Sequence, residues 1–106
     1  MNNNIEEILH VYMEPTKAEK ELDAYYDFQD WRKSFTALVT AELLRARTKF
    51  PTAMNSTHEG YAVLLEEVDE LWDEIKQGGP PHRVLAELVQ IAAMAQRLAE
   101  DVVRHA

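Results

Sequence analysis

The chain has 106 residues, of which 11 are basic and 19 acidic, giving a net charge of −8; its apolar fraction is 46% and it has no cysteine. A chain of this length buries roughly 65% of its unfolded surface, enough for one hydrophobic core. The missing cysteine excludes disulfides, thiol nucleophiles and cysteine-held zinc. The negative charge argues against nucleic-acid polymers and anionic membranes as partners. An anionic ligand would need a cation or a local basic cluster to bridge to it. No apolar leader follows the polar start Met1–Asn4, and no apolar run approaches the roughly 20 residues of a bilayer span. The expected compartment is the cytoplasm.

Hydrophobic periodicity is helical throughout, and no stretch alternates long enough to form a strand. A short amphipathic segment is expected near residues 4–13. A helix follows from Thr16, where Thr16-x-x-Glu19 has the form of a capping box, to about Tyr26. A longer helix is expected over residues 30–49, with Trp31, Phe35, Leu38, Val39, Glu42 and Leu43 at helical spacing. The clearest helix covers residues 57–77. Ser56-x-x-Glu59 caps its start, and Gly78 offers a left-handed stop. The last helix opens at Pro81 and runs to about Arg104. The short Gly78-Gly79-Pro80-Pro81 connection makes the last two helices antiparallel neighbours. The fold class is therefore all-α, a single-domain bundle of antiparallel helices over residues 1–106.

On a helical wheel Tyr61, Leu64, Leu65, Val68, Leu71, Trp72 and Ile75 form one apolar stripe, flanked by Glu67, Glu70 and Glu74. Glu67 and Glu70, at i, i+3, put two carboxylates one turn apart. On the last helix Glu87, Gln90, Arg97 and Asp101 share a face. Antiparallel packing would bring Glu67 and Glu70 opposite Glu87 and Gln90. Three carboxylates and an amide oxygen suit a hard divalent cation such as Mg²⁺, with Mn²⁺ as a substitute. The plain alternative is a solvated acidic helix face. Against it, no basic residue lies between Glu59 and Glu74 to compensate the crowded carboxylates.

These residues carry a resemblance. Glu66-Glu67-Val68-Asp69-Glu70 has the form E-E-x-x-E, and Glu87-Leu88-Val89-Gln90 stands where a second motif, E-x-x-D, would follow. The chain resembles the MazG-like all-α NTP pyrophosphohydrolases over roughly residues 31–103, with 1–29 as a helical N-terminal extension. The stretch Asn55–Ala62 resembles that of small MazG-like proteins. The resemblance implies a helical bundle completed as a homodimer or homotetramer. It implies hydrolysis of a nucleoside triphosphate between the α and β phosphates, to a monophosphate and pyrophosphate. It implies Mg²⁺ held by Glu67, Glu70, Glu87 and Gln90, with Glu66 and Glu67 as catalytic residues. Gln90 departs from the expected aspartate: its amide oxygen can coordinate but brings no charge. The family's basic segment after this region has no counterpart before Ala106, which leaves phosphate contacts to Arg97, Arg104 and the earlier helices.

Arg45, Arg47 and Lys49 form the densest basic cluster. They serve either as phosphate contacts or as a positive last turn that complements the helix dipole. Asn55 and His58, beside a helix N-terminus, are candidate nucleotide contacts or ordinary turn and first-turn residues. Tyr61 and Trp72 read as core or oligomer-interface residues. His10, His82 and His105 show no ligand spacing. The alternative function is a non-catalytic oligomeric binding or regulatory protein on the same scaffold.

Overall fold

The computed structural model describes residues 17–106. The expected segment at 4–13, His10 and the Thr16 cap lie outside the described residues. Three helices follow in order: α1, Lys17–Lys49; α2, Thr57–Lys76; and α3, Pro81–Asp101, which ends in a short 3₁₀ turn, Val103–His105. The chain is all-α, as expected. The two helices anticipated over 16–26 and 30–49 are instead one helix of 33 residues. The reason is the absence of any glycine or proline between Thr16 and Phe50. A polar stretch such as Asp27 to Asp30 weakens amphipathicity but does not stop a helix.

The chain divides between Ser34 and Phe35 into two units. In the first, the described helix carries a solvent-exposed Lys17–Glu21 pair at 3.9 Å and places the Arg32 guanidinium 5.8 Å from the Phe28 ring centre. The second unit holds the core. Val39, Leu43 and Ala46 of α1, Met54 of the connecting loop, and Val89, Ala93 and Met94 of α3 are buried together. Phe35, Val63, Leu64, Leu85 and Leu98 pack around them.

Helices α2 and α3 form a closely packed antiparallel hairpin. The approach is close at Gly60, where an added Cβ would stand 2.2 Å from a Leu98 methyl carbon. The Ser56 hydroxyl accepts from the Glu59 N–H at 3.1 Å, as the cap motif requires. At the other end the Gly79 N–H donates to the Glu74 carbonyl at 2.8 Å and the Gly78 N–H to that of Ile75 at 3.1 Å. That is a Schellman stop, and Gly78 takes the left-handed φ of 67° it needs. Pro80 is the N-cap of α3 and Pro81 opens it, since neither has an N–H to lose there. α3 stops at Asp101, a few residues short of the expected Arg104, which falls in the 3₁₀ turn.

The apolar stripe of α2 departs most from expectation. Leu64 and Leu71 are half-buried, but Tyr61, Leu65, Val68, Trp72 and Ile75 are exposed, with Tyr61 at 64% and Trp72 at 54%. They are not core residues of the single chain. No described helix is long and apolar enough to cross a membrane.

Candidate functional site

The antiparallel hairpin sets Glu67 and Glu70 of α2 against Glu87 of α3. One carboxylate oxygen from each lies within 4.8 Å of the other two. Glu67 and Glu87 are half-buried and Glu70 is exposed. Glu67 Oε2 and Glu87 Oε2 are buried and have no hydrogen-bond partner. Glu74 Oε2 also lacks a hydrogen bond, but Arg83 Nε stands 3.6 Å from it.

Burial of a charge without a partner is costly, and the carboxyls respond by holding protons. Desolvation pushes the Glu67 carboxyl up to about 7, with the Glu70 charge and hydrogen bond, Glu87 and Glu42 adding to the rise. Desolvation, then Glu70 and Glu74, raises Glu87 as well. Glu70 acts on both, so the trio is electrostatically one group.

The trio lines a cavity of about 560 Å³. Its lining also includes Glu42, Glu66 and Gln90, and the apolar side chains of Phe50, Met54, Val63 and Met94. Glu42 was not anticipated as a site residue. It sits in the register of the α1 apolar positions, and its carboxylate accepts from Arg45 Nε at 2.9 Å. The Arg45 hydrogen bond is the main reason Glu42 stays below the usual carboxylate range, and Gln90 contributes a further hydrogen bond. An acid at a core-facing register was the one available signal, but its tertiary neighbours cannot be read from spacing.

The remaining candidates are distributed differently. Lys49 lines the cavity, its ammonium 5.3 Å from the Phe50 ring centre. Arg97 also lines it but is 4% exposed. Its guanidinium donates to the carbonyls of Ala46, Phe50 and Thr52 and to Asp101 Oδ2. It thereby fastens the end of α1 and the following loop to α3. Arg47 does not line the cavity; it donates to Asp101 and Glu100, both at 2.8 Å. Burial pushes Asp101 up, but hydrogen bonds from the Met54 N–H, Arg47 and Arg97 outweigh it and leave the carboxyl below its ordinary value. Asn55 is exposed and donates to Glu59 at 3.2 Å, and His58 is exposed; neither lines the cavity.

The arrangement fits a hard divalent cation. All donors are oxygens, two buried oxygens lack partners, and the like charges gain most from a dication between them. No protein-family model matches the chain, and no curated protein or solved structure matches it.

Proposed function

We propose that the chain is a Mg²⁺-dependent nucleoside triphosphate pyrophosphohydrolase that cleaves between the α and β phosphates. The observation that supports this most is the all-oxygen trio Glu67, Glu70 and Glu87, with an unpartnered buried oxygen on Glu67 and on Glu87. The two-motif resemblance supplies the reaction class. Glu67, Glu70 and Glu87 would hold the ion, with Gln90 offering its amide oxygen beside them. Bound there, the ion supplies neutralisation of phosphate charge and a more acidic water. Glu66, exposed on the cavity wall, is the residue to orient that water. Lys49 and Arg45 bring positive charge to the lining, and the apolar lining side chains Phe50 and Met54 would accept a flat, poorly solvated group such as a nucleobase.

A screen of pyrophosphate release over standard and modified nucleoside triphosphates, with Mg²⁺ or Mn²⁺, tests the reading. Release of pyrophosphate with the matching monophosphate is the expected result. Gln90, uncharged where the motif carries aspartate, favours a second reading: a non-catalytic binding or regulatory protein on the same scaffold. Ligand binding with no turnover across the screen would establish it.

A further inference from the structure

The cations in the cavity lining are Arg45, Lys49 and Arg97. Arg97 is spent on the fold: its guanidinium is buried and donates to backbone carbonyls and to Asp101. Arg45 is held differently. The Glu42 carboxylate, one turn earlier on α1, accepts from its Nε at 2.9 Å and from its Nη2 at 2.5 Å, one on each oxygen. That contact occupies one edge of the planar guanidinium. The N–H groups of the other edge, on Nη1 and Nη2, donate to no described residue. The Arg45 side chain is 57% exposed, whereas that of Glu42 is only 13% exposed. Gln90 adds a hydrogen bond to Glu42, so the acceptor that fixes Arg45 is itself fixed.

We propose that Arg45 grips the polyphosphate of the ligand through this free edge, and that Glu42 is the positioning residue that aims it. The proposal rests on the nucleotide reading of the cavity and adds the side chain that holds phosphate apart from the metal ligands. Paired N–H groups on a guanidinium edge match two oxygens of one phosphate. A long side chain loses rotamer freedom when it binds an anion, and a fork already clamped by Glu42 has less to lose. Arg45 also feels the Glu67 charge, which puts its guanidinium near the trio. Lys49, at i+4 from Arg45 and also in the lining, extends the cationic row along α1 by one turn. Charge alone would give Glu42 the opposite role, because a carboxylate beside an anion repels it. The two roles predict opposite signs when that charge is removed.

Calorimetric titration of inorganic tripolyphosphate into the full chain, in excess Mg²⁺, tests this. Arg45→Gln should weaken binding roughly tenfold or more. Arg45→Lys keeps the charge without the fork and should lose most of the same affinity. Glu42→Gln should weaken binding several-fold although it removes a negative charge. In the Arg45→Gln background it should cost nothing further, because Glu42 acts through Arg45. Thermal melts establish that each variant is folded. Should Glu42→Gln melt below the assay temperature, Glu42→Asp, too short to span both nitrogens, takes its place with the same expected loss. A Glu42→Gln chain that binds tripolyphosphate as tightly as the parent, or more tightly, overturns the proposal. So does a parent that binds none, or a Glu42→Gln loss that persists without Arg45. Pyrophosphate release from nucleotides separates this result from the function it rests on. A parent that turns over no nucleotide, yet shows the expected order of tripolyphosphate affinities, keeps the phosphate grip and loses the hydrolase.

Discussion

Glu67 of α2 and Glu87 of α3 each bring a carboxylate oxygen within 4.8 Å of the other and of Glu70, and each keeps a buried oxygen without a hydrogen bond. Two acids held so close in a partly dry setting cost the chain stability, and under the proposed function a cation between them would offset that cost. The two effects make opposite demands on any substitution at these positions.

Glu67→Gln should therefore act in two directions. In chelator the variant should melt a few degrees above the parent, because a repelled, desolvated carboxyl is gone. In millimolar Mg²⁺ the order should reverse, because the ion stabilises only a folded chain that can hold it. Thermal melts of both proteins with EDTA and with Mg²⁺ give the four values needed.

Glu70→Gln should abolish Mg²⁺-dependent hydrolysis while the helical content stays the same. The expected loss exceeds the ~10–100-fold typical of changes outside the ligand set. Turnover at the parent rate would remove Glu70 from the site.

The pH dependence follows from the raised carboxyls. Glu67 holds its proton up to about 7 when folded and releases it near the ordinary 4.5 when unfolded. Between those values the native chain binds more protons, so metal-free stability falls as pH rises. Glu87 acts in the same direction. Mg²⁺ competes with these protons, so the Mg²⁺-induced rise in melting temperature should grow from about pH 6 to about pH 8. Melts at fixed Mg²⁺ across that window check the trend.

Gln90→Asp tests the amide at the edge of the trio. The change removes a hydrogen bond to Glu42 and adds a carboxylate to an acidic wall. The metal-free protein should lose stability, and its Mg²⁺-dependent gain should exceed the parent's. Equal gains in the two proteins would show that Gln90 is not a ligand.

Arg97→Ala should cost about 3 kcal/mol or more in urea denaturation. It removes one of the two donors to Asp101 Oδ2, leaving the Met54 N–H, breaks a buried ion pair, and leaves the carbonyls of Phe50 and Thr52 short of a donor. Because Arg97 fastens the loop after α1, its loss should act on stability ahead of metal binding.

How much was legible in advance depends on the range of the interaction. The Ser56 cap, the Gly78 stop and the short turn to Pro81 are local, and together they put α2 and α3 antiparallel. That arrangement, with i, i+3 spacing on α2, was enough to bring Glu67, Glu70 and Glu87 together. The two helices expected before Phe50 are one, because Asp27 to Asp30 contains no residue that ends a helix. Glu42 was missed as a site residue because its place depends on α1 lying against a cavity formed by residues far along the chain. Arg97 and Asp101 stood at an evident i, i+4 spacing. Their true partners, Arg47 and the carbonyls of residues 46, 50 and 52, are tertiary and have no sequence signature. Tyr61 and Trp72 read as core or interface residues from the sequence, and the fold of one chain leaves both exposed, with Leu65, Val68 and Ile75, while Leu64 and Leu71 are half-buried.

The most direct measurement is a Mn²⁺ titration of the parent chain and of Glu70→Gln, followed by the electron paramagnetic resonance signal of free Mn²⁺. The parent should remove Mn²⁺ from solution and release it to excess Mg²⁺, while Glu70→Gln should leave the ion free over the same range. No Mn²⁺ bound by the parent, or equal binding by both proteins, would contradict a metal site at Glu67, Glu70 and Glu87.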